Sequence, residues 1–181
     1  MSNVTPAEVI SFWREAGPER WFGKDDGFDP TIRTRFLAIH EAAARGELAL
    51  WEESPEGALA LVILLDQFPR NMFRGSAQAF ATDPLARAVA NRALARGFDQ
   101  ATDEMMRPFF YLPFLHSELL VDQDRCVRLH EAFGDPELLK YATSHRDIVV
   151  KFGRFPHRNR AMGRDTTPAE QGFLDGGGFA G

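Results

Sequence analysis

From Ala58 to Arg74 the chain reads ALALVILLDQFPRNMFR, an apolar run that breaks off into polar residues. Leu59 to Leu65 offers water no polar side, the mark of a buried helix, and the run is too short to span a bilayer. It closes in Asp66, Gln67, Pro69, Arg70, Asn71 and Arg74. A carboxylate at a helix C-terminus meets the negative end of the helix dipole, so Asp66 calls for a cation. Arg70 and Arg74 are the nearest in sequence.

Around this run the apolar positions keep helical spacing, and no period-2 alternation of β-branched residues competes with it. A first helix is expected over about Pro6 to Glu15, burying Val9, Ile10, Phe12 and Trp13, followed by an exposed aromatic loop with Trp21 and Phe22. A second spans roughly Pro30 to Arg45. The central helix covers about Pro55 to Phe68 and stops at Pro69. Further helices are expected near Pro84–Arg96, Leu115–Phe133 and Pro136–Phe152, with an irregular stretch from Phe155 to Thr166 and a short last helix. The aromatic stretch Met105–Pro113, interrupted by Pro108 and Pro113, predicts a short or broken helix. Thr5-Pro6, Asp29-Pro30, Ser54-Pro55, Asp83-Pro84, Asp135-Pro136 and Thr167-Pro168 each read as a cap followed by a first-turn proline. The expectation is an all-α fold of about eight or nine helices. It forms a single domain over residues 1–175, with a flexible glycine-rich tail at 176–181.

Composition adds little against this. The 181 residues are 44% hydrophobic and 26% charged, those of an ordinary globular chain. One cysteine, Cys126, excludes an internal disulfide and a cysteine zinc site, so a reducing, cytoplasmic location is expected, with no membrane segment. The net charge of −5 argues against a nucleic-acid partner. The charge is uneven, however. Tyr141 to Arg164 carries six Lys and Arg against one acid, Asp147, together with His145 and His157. A basic cluster in an acidic protein suits a small local anion.

The candidate chemistry gathers there. His145 falls on the apolar face of the Pro136 helix with Leu138, Tyr141, Ala142, Ile148, Val149 and Phe152. A lone core histidine is ordinarily a hydrogen-bonded structural residue; company is what makes this one a candidate. His116, Ser117 and Glu118 are expected to open the preceding long helix. Arg154, His157 and Arg158 leave the C-terminus of the His145 helix, between the apolar anchors Phe152 and Phe155. The plain alternative is a solvated basic loop whose arginines cap helix carbonyls, which describes Arg160 and Arg164 well. His40 and His130 read as ordinary, partly exposed residues. Phe152 stands where a kinase-like His145-Arg146-Asp147 loop would need an asparagine, and no phosphate-binding glycine loop or nucleophile elbow occurs. Ser117 and Ser144 adjoin histidines only in sequence. His116, Glu118, His145 and His157 lack metal-ligand spacing, and neither a metal nor a cofactor is expected.

Three motifs in order, Leu65-Asp66-Gln67-Phe68-Pro69-Arg70-Asn71-Met72-Phe73-Arg74, Pro113-Phe114-Leu115-His116-Ser117-Glu118 and Phe152-Gly153-Arg154-Phe155-Pro156-His157-Arg158-Asn159, resemble the bacterial domain-of-unknown-function family 924. The resemblance runs from Val9 to Glu170, with Leu115 standing where the family pattern has an acid. It implies an all-α, tetratricopeptide-like fold of helical hairpins and no particular activity. The family's signature positions coincide with Asp66, Gln67, Arg70, Asn71, Arg74, His116, Ser117, Glu118, His145, Arg154, His157 and Arg158.

Two functions stay open. One is a small-molecule site, enzymatic or not, for a phosphate- or carboxylate-bearing ligand. There Asp66, Gln67, Arg70, Asn71, Arg74, Ser117, Arg154, His157 and Arg158 bind, and His116, Glu118 and His145 supply acid–base chemistry. The other is a non-catalytic tetratricopeptide-like scaffold that binds a peptide or protein, with the polar motifs serving as structural ion pairs.

Overall fold

The computed structural model describes residues 4–21, 23 and 25–179. The first three residues of the expected domain, Phe22 of the expected aromatic loop, Lys24, and Ala180 and Gly181 of the expected tail lie outside the described residues. The fold is all-α, with no strand among the described residues. No helix among them is long and apolar enough to cross a membrane. The chain packs as two compact units, Met1–Arg74 with Gln78–Pro113, and Gly75–Ala77 with Phe114–Gly181.

The first unit holds helices α1 (Pro6–Ala16), α2 (Phe28–Ala44), α3 (Pro55–Val62), α4 (Phe68–Met72) and α5 (Asp83–Ala95). Thr5 and Glu8 form a reciprocal capping box on α1, and Ser54 Oγ accepts from the Gly57 amide at the start of α3. Two of the expected caps act differently. Helix α2 begins at Phe28, before Asp29-Pro30, because Asp25 Oδ1 accepts from the Gly27 and Phe28 amides at 2.8 and 2.9 Å. Helix α5 takes in Asp83 itself, whose carboxylate is engaged by Arg70. In both places a distant arginine claims the aspartate that local spacing offers to the helix end.

The core of this unit is aromatic. The Trp13 ring lies against Trp21, Phe28, Phe68 and Phe109 at centroid distances of 6.0, 6.1, 5.5 and 5.9 Å. Trp21, expected in an exposed loop, is buried: it sits on the helical turn Pro18–Trp21 and its Nε1 donates to the Trp13 carbonyl at 2.6 Å. That bond satisfies the indole N–H, and the ring's large apolar area goes to the core.

Helix α3 is buried all round, as its composition requires, but the chain does not stop at Pro69. It passes through a π-turn, Ile63–Gln67, into α4. The cause is backbone accounting. Pro69 has no N–H to give, and the Phe68 amide bonds to Ile63 rather than Leu64. The carbonyls of Leu64 and Leu65 therefore need partners from outside the helix. His40 Nδ1 approaches Leu64 O at 2.8 Å, and Thr82 Oγ1 donates to Leu65 O at 2.6 Å. His40 is thus a buried structural donor, not the partly exposed residue its helix suggests. Burial pushes the pKa of its imidazole down, and the Leu64 bond opposes that only in part.

The aromatic stretch breaks into two turns, Arg107–Phe110 and Leu112–Leu115. The second unit then has α6 (Leu120–Phe133), α7 (Pro136–Phe152) and α8 (Pro168–Asp175), with a 3-10 turn at Pro156–Arg158. Helix α6 starts at Leu120 because buried Gln123 donates its Nε2 to the carbonyls of Leu115 and Ser117 at 2.6 and 2.7 Å. Those bonds hold His116–Leu119 as a non-helical link, so His116 and Glu118 precede α6 instead of opening it. His130 of α6 is likewise buried rather than partly exposed, and desolvation lowers its pKa to about 4. Gly134 and Gly153, at φ 86° and 71°, close α6 and α7 in the left-handed conformation that glycine alone adopts freely. Ile148, Val149 and Phe155 form a small core, against which Phe152, Phe173 and Phe179 pack.

Candidate functional site

The sequence-predicted residues fall into two polar clusters, one in each unit. In the first unit, Asp66 is fully buried and its Oδ2 accepts from Gln67 Nε2. Arg70 Nη1 lies 3.4 Å from Asp66 Oδ1, and the guanidinium grips Asp83 with two bonds of 2.8 and 3.0 Å. Burial works against the Arg70 charge, but Asp66 and Asp83 outweigh it and its pKa is raised. Asn71 Nδ2 donates to Asp29 Oδ1 at 2.8 Å, while Arg74 pairs with both Asp29 oxygens and the Gly23 carbonyl. Each cation here already has a carboxylate, and the donors serve to tie α2, α4 and α5 together.

The second unit has a comparable latch and, beside it, something different. Glu118 accepts from the Phe155 amide at 2.7 Å and takes a two-pronged bond from Arg164 at 2.7 and 3.0 Å. Burial raises the Glu118 pKa, yet Arg164 and the Phe155 amide bring it below the usual value. Arg154 holds Glu170 at 2.6 and 2.9 Å and the Asp165 carbonyl at 2.8 Å. Glu170 is also the capping-box residue of α8, and the bonds it accepts from Arg154 and from the Thr167 amide take its pKa down to about 2. Ser117 Oγ donates to Asp122 Oδ2 at 2.6 Å and accepts from the Leu119 amide, so it shapes the entry to α6.

Against this background His145, His157 and Arg158 gather round the Phe155 ring. The His145 and His157 rings each lie 5.7 Å from it, and the Arg158 guanidinium sits over its face at 4.7 Å. His145 Nδ1 is 2.9 Å from the Tyr141 carbonyl, which can only accept. Nδ1 therefore carries the hydrogen, and the neutral ring presents Nε2 as a lone pair. His157 Nδ1 is buried with no hydrogen-bond partner among the described residues. Burial, then the neighbouring cations, lowers the His145 pKa to about 4 and the His157 pKa to about 3. His116 is near enough for its charge to oppose charge on both rings. The cluster thus combines the permanent charge of Arg158 with two imidazoles that are neutral at pH 7 and gain basicity if an anion arrives. Among the described residues no group of three or more His, Cys, Asp or Glu could hold a metal ion.

A family model described as "Bacterial protein of unknown function (DUF924)" matches residues 9–178. The chain belongs to this family. The chain is similar to a solved structure, that of the protein of unknown function ATU0120 from Agrobacterium tumefaciens, at 51% identity and a TM-score of 0.91. The match covers 94% of this chain and 97% of that one. Among curated proteins no relative matches.

Sequence reasoning missed several of the residues that hold this region together. Arg164, read as solvated, is the partner of Glu118, and its Nε also donates to the buried Asn159 at 3.0 Å. Glu170, the anchor for Arg154, was signalled only by the Thr167-Pro168-Ala169-Glu170 capping pattern. Gln123 carried no signal at all, since a mid-helix glutamine reads as a surface residue.

Proposed function

We propose that the second unit is a small-molecule binding module for a phosphate- or carboxylate-bearing ligand, held at Arg158, His116, His145 and His157. One observation carries the reading: two imidazoles, His145 and His157, and the Arg158 guanidinium converge on the Phe155 ring. Arg158 supplies fixed charge, and His145 and His157 supply acceptors that turn into donors when protonated. Glu118, Ser117 and Arg154 support the site by fixing the segments that carry it. In the first unit, Asp66, Gln67, Arg70, Asn71 and Arg74 act as a structural latch.

The test is a thermal melt against inorganic phosphate, sugar phosphates and short carboxylic acids. A ligand at a hundred times its Kd stabilises by about 2.7 kcal/mol, roughly 5–10 °C for a chain of this size. The shift should vanish in His157→Ala and Arg158→Ala. A shift retained in both variants would place the ligand elsewhere.

A second reading, docking of a peptide or protein, has its own observation. Leu119, Leu120 and Val121 are consecutive and 57%, 44% and 69% exposed, an apolar run of the kind that contacts partners. A Val121→Glu variant that leaves the melting point unchanged but abolishes self-association or peptide capture would support it.

A further inference from the structure

Phe179 belongs to two features at once. Its ring stands edge-on to two imidazoles, 4.5 Å from His145 and 5.0 Å from His157, and lies 6.2 Å from Tyr141. The same ring lines a groove of 290 Å³ bordered by Ser144, Asp147, Ile148, Lys151, Phe152 and Phe173. Besides packing, backbone bonds from the Gly178 amide to the Phe173 carbonyl at 2.9 Å and from the Gly177 amide to the Leu174 carbonyl at 3.2 Å hold this segment. Phe179 therefore joins the groove, with its apolar Ile148, Phe152 and Phe173, to the imidazole faces of His145 and His157.

An edge-on seat between two neutral imidazoles favours a flat π-ring, since aromatic pairs prefer this T-shaped arrangement. The Arg158 guanidinium, over the Phe155 ring that both imidazoles also face, adds positive charge that favours an anion. We infer that the ligand is an aryl anion, an aromatic ring bearing a phosphate or carboxylate, and that Phe179 is a displaceable stand-in for its ring. This inference rests on the anion-binding reading of the same site and adds the ring to it.

Calorimetric titrations with inorganic phosphate and with phenyl phosphate, on the parent and on Phe179→Ala, separate the two claims. If Phe179 fills the seat most of the time, removing it should tighten phenyl phosphate about tenfold. Inorganic phosphate, which does not need the seat, should change by less than about twofold. Equal affinity for both probes in Phe179→Ala overturns the aryl inference and leaves the anion site standing. No binding of either probe overturns both. Should Phe179→Ala fail to fold, the parent decides by NMR: phenyl phosphate, unlike inorganic phosphate, must move the Phe179 ring signals. Unmoved ring signals at saturation would overturn the inference.

Discussion

Replacing Arg70 with methionine isolates the latch at the end of the central helix. The substitution keeps an unbranched apolar stem and removes the guanidinium. Arg70 donates to Asp83 at 2.8 and 3.0 Å, and its Nη1 lies 3.4 Å from a fully buried Asp66. Without it, two carboxylates with 0% and 4% exposure lose their shared cation. Breaking a buried pair from one side costs about 3–5 kcal/mol, because the partner charge stays behind. At roughly 2–4 °C per kcal/mol for a chain of this size, the melting point should fall by about 6–20 °C. Urea and thermal melts followed by circular dichroism measure it. Arg74→Met is the internal control, since the Arg74 side chain is 37% exposed and its pair with Asp29 is worth only about 1 kcal/mol or less. An Arg70→Met protein within about 1 kcal/mol of the parent would refute the latch.

Three further outcomes follow from the same geometry. His145 and His157 have folded-state pKa values of about 4 and 3, below the unfolded value of about 6.5. The unfolded chain therefore binds more protons, and the stability present above pH 6.5 is lost as pH falls toward 4; each histidine accounts for about 2 kcal/mol between pH 7 and pH 5. Urea melts at the two pH values measure the loss, and His145→Leu should reduce the slope. A Cβ on Gly57 would collide with the backbone of Trp51, so Gly57→Ala should cost about 1–3 kcal/mol by displacing the Ala49–Glu53 turn; a melt unchanged from the parent contradicts this. Arg154→Ala removes the clamp on Glu170, and hydrogen exchange in Pro168–Asp175 should rise while α6 stays protected; uniform protection would mean that the clamp is dispensable.

The helical nature of the fold was legible because apolar spacing and capping residues are local signals. Thr5, Ser54, Asp135 and Thr167 cap as their sequence neighbourhoods imply. Asp29 and Asp83 do not, since Arg74 and Arg70 reach them from distant positions and local pattern cannot show a distant claim. The passage of the chain through Pro69 was hidden for the same reason: its freed carbonyls are satisfied by His40 and Thr82, far away in sequence. The residues of the three polar motifs fall into two clusters, one in each unit. In the second unit Arg164 takes Glu118 and Arg154 takes Glu170. That choice is made by packing, and no spacing rule encodes it.

The central claim is that the His145–His157–Arg158 cluster receives an anion. NMR of the imidazole side chains, titrated from pH 7 to pH 5 with and without inorganic phosphate, reads the cluster directly. Without phosphate, both rings should stay neutral across the range, with His145 in the Nδ1–H form. With saturating phosphate, the added negative charge should bring protonation of His145 or His157 up into that window. Imidazole signals that titrate identically in both conditions would contradict the account.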